Sequence, residues 1–286
     1  MSAIRPVRKA VFPVAGLGTR LLPATKTMPK EMLTVVDRPL IQYAVDEARD
    51  AGIEQLIFVT GRGKSSLVDY FDLGFELEAT MEKAGKSRAA LDGSRTIPGE
   101  LISVRQQQPL GLGHAVWCAR HIVGDEPFAV LLPDDLMVGG ALRQMVEAYN
   151  QVGGNIVCAA EVAPDKTGSY GIVSPGETHG NLTEVLGMVE KPAPVDAPSR
   201  LGIIGRYILQ PEVMTILDAT EPGAGGEIQL TDAMAKLIGR QPFHAVKVDA
   251  VRHDCGDKAG FVLANLAIAM DREDLGPLVR EFMRTH

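Results

Sequence analysis

The chain has 286 residues, 45% of them hydrophobic and 23% charged, a balance typical of soluble globular proteins that excludes disordered and fibrous chains. The longest stretch free of Asp, Glu, Lys and Arg is the 14 residues Gln106 to Ala119, too short and too polar for a transmembrane helix. A net charge of −7 argues against a general nucleic-acid binder, and three cysteines without metal-type spacing (Cys118, Cys158, Cys255) fit a reducing cytoplasm.

In chain order, Lys9–Val14 reads as a short buried strand, broken by Ala15-Gly16-Leu17-Gly18-Thr19-Arg20. The basic, then apolar, start mimics a signal peptide. Pro13, Gly16 and Gly18 interrupt it and no small-residue cleavage site closes it, so strand and loop are expected. Pro39–Ala51 carries helical spacing (Leu40, Ala44, Val45, Ala48) and stops at Gly52. Gln55–Val59 is a strand, and Ser65–Phe71 opens a helical region running towards Lys86. Leu101–Val104, Phe128–Leu132 and Ile156–Ala160 read as strands, with helices at His114–Ile122 and Ala141–Val152. Strand-like pieces then follow at Tyr170–Val173, Leu182–Glu190 and Ile203–Ile208, separated by Gly- and Pro-rich turns. Helical patterns resume at Pro211–Leu217, Ile228–Ile238, Lys258–Met270 and Asp274–Met283.

Alternating strands and helices to about residue 160 imply right-handed βαβ units. The expectation is an α/β fold with a mainly parallel sheet and helices on both faces. The length alone fits one large domain or two; the pattern favours a single domain over 1–286. Residues of about 165–210 are expected to form a β-rich insertion on the same sheet, and helices in 257–286 are a possible oligomer contact.

The charge is unevenly placed. Residues 1–38 hold seven basic side chains and two acidic ones, so this segment is +5 while the other 248 residues carry −12. A basic, glycine-rich segment in an acidic protein points to a small anionic ligand. Gly16-x-Gly18 is not a dinucleotide fingerprint, because Leu21 stands where the third glycine belongs. Gly63-Lys64-Ser65 mimics a P-loop end, but the first glycine would fall at Phe58, so Gly61–Ser66 reads as a structural turn. What remains is a proline-pinned loop carrying Arg20 and Lys30. Its glycines allow close backbone approach to phosphate, which Arg can grip in a fork.

Gly-x-Gly-Thr-Arg-Leu-x-Pro-x-Thr-x(4)-Lys on this loop resembles the sugar-1-phosphate nucleotidylyltransferases. The fuller string Ala15–Leu33, with Pro29-Lys30-Glu31-Met32-Leu33, is similar to the bacterial UTP–glucose-1-phosphate uridylyltransferases in particular. The resemblance covers nearly the whole chain, because later motifs come in the family's order. It implies a Rossmann-like, glycosyltransferase-A-like sheet and transfer of UMP from UTP to glucose 1-phosphate, giving UDP-glucose and pyrophosphate.

The same resemblance assigns roles. Ala15, Gly16 and Gly18 would bind nucleotide, with Gln106 reading the base and Gly111 permitting backbone approach. A Gln amide offers both a donor and an acceptor to the imide edge of uracil or thymine. Asp134, ending the Phe128–Leu132 strand, and Asp254 would hold Mg²⁺, a hard cation suited to carboxylates and phosphate oxygens. Asp135, Gly171, Glu190, Lys191 and Gly205 would line the sugar pocket, with Lys191 on the sugar phosphate. Arg20, Lys30 and Lys191 would be the catalytic cations. His114 is expected to orient its loop, and Pro222–Asp232 is assigned no chemical step beyond a helix cap. Rival readings are a thymidylyltransferase using dTTP, one methyl away, and a non-catalytic regulatory relative. A cytoplasmic homodimer or homotetramer is expected.

Overall fold

The computed structural model describes residues 4–223 and 226–286. Its centre is a nine-stranded mixed sheet. In chain order its strands are β1 (Lys9–Pro13), β4 (Gln55–Thr60), β5 (Leu101–Arg105), β6 (Phe128–Leu131), β8 (Asn155–Glu161), β9 (Gly171–His179), β10 (Leu182–Glu190), β11 (Leu201–Leu209) and β12 (Phe243–Val246). Two short ladders account for the other labels: β2 (Thr34–Val35) with β3 (Arg38–Pro39), and β7 (Asp135–Val138) with β13 (Val251–Asp254).

The spatial order is β5-β4-β1-β6-β11-β8-β12-β10-β9. Only β11 and β10 run against the other seven, so the sheet is mixed and mainly parallel. Residues 169–208 supply three of its strands. Two extend its edge, whereas β11 lies at the centre between β6 and β8.

The central strands are apolar throughout because both faces are covered. In β1, Val11 packs with Ile57, Val130 and Val157 beneath the helices α4 (Leu112–Cys118), α7 (Glu212–Asp218) and α8 (Leu230–Ala235). Its neighbours Ala10 and Phe12 point to the opposite face, against α1 (Leu40–Asp50) and α6 (Ala141–Val152). Phe12, Phe58 and Phe71 make a chain of edge-to-face contacts there, each side chain's burial contributing about 1.5–3 kcal/mol.

Two predicted helices are interrupted. The region from Ser65 to Lys86 splits into α2 (Ser65–Asp69) and α3 (Phe75–Lys83), because the Asp72 carboxylate takes the Leu73 N–H and Gly74 follows. His114–Ile122 becomes α4 and α5 (Arg120–Val123), with Ala119 between them. Near the end, α9 (Lys258–Asp271) and α10 (Gly276–Thr285) pack on one another. Among the described residues no helix is long and apolar enough to cross a membrane.

Candidate active site

Four parallel strands, β1, β4, β5 and β6, end along one edge of the sheet, and the loops after three of them carry the expected site residues. This is the edge where open α/β sheets bind ligands. After β1 the chain folds into three short 3-10 turns, Thr19–Leu21, Ala24–Lys26 and Lys30–Met32. Gly18 sits at φ +66, and its carbonyl accepts a 2.7 Å bond from the Thr25 hydroxyl. A Cβ there would lie 3.2 Å from both Lys30 Cβ and Thr25 Cγ2, so the turn requires glycine twice over.

The two cations of this loop are placed differently. Arg20 is exposed and has no carboxylate within ion-pair distance among the described residues. Lys30 is tied to Asp134, its Nζ donating to Oδ2 at 2.5 Å. Behind it, the fully buried Glu31 accepts from Lys64 at 2.9 Å. Lys64 therefore braces the loop that follows β1.

β-pairing delivers the second carboxylate. In the β7–β13 ladder Asp135 stands opposite Asp254, and the Cys255 N–H donates to the Asp134 carbonyl at 2.7 Å. A methyl placed on Gly256 would lie 3.0 Å from Arg20, 3.0 Å from Asp254 Oδ1 and 3.3 Å from Asp134 Oδ2. Arg20, Asp134 and Asp254 thus converge on one point. Burial alone would raise the Asp134 carboxyl; the Lys30 charge and hydrogen bond, helped by Arg20, hold it below the usual range. Asp135 goes the other way: burial, with Asp134 and Asp254 adding to it, raises its carboxyl despite the pull of Arg252.

On the opposite wall, Glu190 and Gly171 are register partners across β10 and β9. A Cβ on Gly171 would meet the Thr231 hydroxyl at 2.9 Å and Glu190 Oε2 at 3.3 Å. Gly205 is just as constrained, since Asp135 lies over it, with Cβ and Cγ 2.7 and 2.9 Å from where a methyl would stand. Lys191 reaches Glu190 at 3.3 Å, and its backbone is held at φ +47, in the left-handed region. The ion pair that Glu-Lys-Pro alone suggests is therefore present, inside the cleft.

At the far end Gln106 follows β5, its N–H bonded to the Thr60 carbonyl. The glycine loop after it is clamped by residues 227–231. Ile228 N–H donates to Leu110 at 2.7 Å, and Gly113 N–H to Ile228 at 2.8 Å. Gly111, at φ +96, has Glu227 Cβ 2.8 Å from where its own Cβ would be. Glu227, Gln229, Leu230 and Thr231 line the cleft, so residues 227–231 form a wall of the site. Gln229 makes no side-chain cap; it donates to Glu227 at 2.8 Å. Ala224 and Gly225 of that string lie outside the described residues.

Every expected site residue lines this one cleft of about 760 Å³: Ala15, Gly16, Gly18, Arg20, Lys30, Gln106, Gly111, Asp134, Asp135, Gly171, Glu190, Lys191, Gly205 and Asp254. Sequence reasoning missed three supports. Arg252 donates to Asp135 through Nε at 2.6 Å and to the Tyr170 hydroxyl at 3.1 Å. Fully buried Arg206 pairs with Glu47 of α1 and donates to the carbonyls of Leu132, at 2.9 Å, and Asp135, at 2.8 Å. A signal existed for Arg206, a lone charge within the apolar Ile203–Leu209 run; Arg252 and Glu47 had none.

The family model for nucleotidyl transferases matches residues 9–270. The chain belongs to the nucleotidyl transferase family. Within that family it is 56% identical over 259 residues to a UTP–glucose-1-phosphate uridylyltransferase of Komagataeibacter xylinus, covering 89% of this chain and 91% of the relative. A UTP-bound UGPase from Acinetobacter baumannii superposes with a TM-score of 0.88 at 42% identity, covering 97% and 98% of the two chains. A UDP-glucose pyrophosphorylase complexed with UDP-glucose gives 0.83 at 42% identity, covering 93% and 100%. The uridylyltransferase branch suggested by the string Ala15–Leu33 is thus the branch of this nucleotidyl transferase.

Proposed function

We infer that this nucleotidyl transferase moves UMP from UTP to glucose 1-phosphate, giving UDP-glucose and pyrophosphate. The observation that carries the reading is the single cleft. It gathers an exposed Arg20, the Lys30–Asp134–Asp254 cluster, Gln106 and the Glu190–Lys191 pair. Relatives at this identity act as uridylyltransferases, which favours UTP over dTTP and an enzyme over a regulatory relative.

An oxygen of the sugar phosphate attacks the α-phosphorus in line. A new O–P bond forms as the α–β bridge breaks, and pyrophosphate leaves with the electron pair. A phosphomonoester has its second pKa near about 6, so the nucleophile is already ionised at neutral pH and needs no general base. Catalysis is then positioning and charge neutralisation. Arg20 grips the leaving pyrophosphate, Lys30 the triphosphate, and Lys191 the attacking phosphate. Glu190 accepts from sugar hydroxyls beside the bare backbone of Gly171, and Asp135 contacts the sugar over Gly205.

Asp134 and Asp254 would hold Mg²⁺. Their fit rests on the donor chemistry: two carboxylates facing one point beside Arg20, one of them kept ionised by a lysine. Bound there, the cation would neutralise phosphate charge. Lys30, the counter-charge of Asp134, is the cation of this cluster assigned to the triphosphate.

The reading extends to a cytoplasmic homo-oligomer over one domain. Three unpaired cysteines support the compartment, and the exposed Val262, Leu263, Leu278 and Phe282 on α9 and α10 support assembly. Pyrophosphate release from UTP and glucose 1-phosphate, run beside dTTP, tests the activity. Equal kcat/KM for the two nucleotides, or no release, would overturn it; a 30.6 kDa particle in light scattering would refute the oligomer.

A further inference from the structure

Gln106 is held by two contacts, and together they determine which way its amide faces. Nε2 lies 3.0 Å from the Gly111 carbonyl and 3.0 Å from His114 Nδ1. A carbonyl oxygen only accepts, so the atom beside Gly111 must be the amide nitrogen. Its second hydrogen then points at His114, which must accept at Nδ1 and carry its own proton on Nε2. That proton has a partner, Cys118 Sγ at 4.0 Å. The imidazole is stacked on Trp117 with ring centroids 5.7 Å apart, and the Arg120 guanidinium lies over the indole at 3.5 Å. Gln106 Oε1, without a hydrogen-bond partner among the described residues, is the part of the amide left for a ligand.

We propose that His114 is a specificity-determining positioning residue: by accepting from Gln106 Nε2 it fixes the amide with its oxygen towards the base, selecting uracil over cytosine. The proposal rests on the reading of Gln106 as the base contact. Uracil carries N3–H, which donates to an oxygen; cytosine carries a lone pair at N3, which an oxygen repels. A hydrogen-bond donor at position 114 would oppose Nε2 and release or turn the amide, so this preference would collapse.

The test is kcat/KM for UTP and for CTP, each with glucose 1-phosphate, in the parent and in His114→Lys, which offers donors only. The UTP-over-CTP ratio is expected to fall about tenfold or more, on the scale of one misdirected hydrogen bond. His114→Gln, whose side-chain oxygen can accept, is expected to keep most of the ratio. A purely structural histidine would change kcat or stability and leave the base ratio unmoved. His114→Leu, lacking the acceptor without adding a cation, serves if the lysine variant does not fold; its ratio falls less far.

Should neither fold, the parent's own pH profile decides. Burial and the Arg120 charge hold the imidazole below its ordinary value of about 6.5, against the Gln108 carbonyl, which raises it. The other ionisable groups around the stack are Cys118 and Asp218, the latter bonded to Trp117 Nε1 at 3.0 Å. Over the pH range in which neither base titrates at N3, the ratio should therefore be level above that value and drop as acid protonates Nδ1, the triphosphate's own titration cancelling between the two nucleotides. A ratio unchanged in the folded variants, or flat with pH, overturns the role of His114. A parent that turns over no UTP overturns the underlying reading instead.

Discussion

Lys30 donates to Asp134 at 2.5 Å, so the loop after β1 and the carboxylate after β6 neutralise one another within the cleft. The proposed Mg²⁺ site needs Asp134 ionised, and the proposed triphosphate contact needs Lys30 within the same cleft. Asp134→Asn and Asp254→Asn should each lose Mg²⁺-dependent turnover while keeping the parent's circular dichroism. Activity measured against Mg²⁺ concentration checks this. Variants that retained the parent's metal dependence would remove the two carboxylates from the metal.

Arg20 differs from Lys30 in having no carboxylate partner among the described residues. Its charge is free for a ligand, and its removal should barely disturb the fold. Arg20→Ala should lower kcat about a hundredfold or more, the scale of one lost transition-state contact, with an unchanged melting temperature. Steady-state kinetics beside a thermal melt separates the two effects. A kcat near the parent's would take Arg20 out of the reaction.

Arg206 and Glu47 make the opposite kind of pair, with side chains only 1% and 5% exposed. The guanidinium also holds the carbonyls of Leu132 and Asp135, which flank Asp134. Glu47→Gln leaves that charge uncompensated in the core and should cost about 3–5 kcal/mol, the usual penalty for breaking a buried pair. A urea titration gives the loss directly. A midpoint within error of the parent's would mean that the pair does not support the turn.

These supports also show where the sequence stops being legible. Arg20, Lys30 and Gln106 sit on loops where no amphipathic pattern needs them, so their chemistry stands out. The apolar runs of β1, β4 and β6 are equally plain, because strands covered on both faces must be apolar. Arg252 was hidden, since β13 is four residues long and gains meaning only when pairing with β7 sets Asp254 against Asp135. Glu47 was hidden differently: on a helix it reads as solvated surface, and only its packing with α6 and β11 reveals a buried charge. Likewise, the central position of β11 depends on long-range pairing that no local pattern encodes.

Gly205 tests the sugar side. Its carbonyl accepts from Leu132 N–H at 2.9 Å, so the backbone is fixed, and the Asp135 side chain lies across the space a methyl would fill. Asp135 cannot easily yield: its carbonyl is held by Arg206 and its carboxylate by Arg252. Gly205→Ala must therefore push the carboxylate off Arg252 or shift the strand, at an overpacking cost of about 1–3 kcal/mol. With Asp135 displaced, KM for glucose 1-phosphate should rise about tenfold, while KM for UTP changes by less than about twofold, since the nucleotide loop is untouched. Gly171→Ala, crowding Glu190 from the neighbouring strand, should show the same split. If both variants raised the two KM values together, the cleft would be one undivided surface, and Asp135 and Glu190 would not belong to a separate sugar pocket.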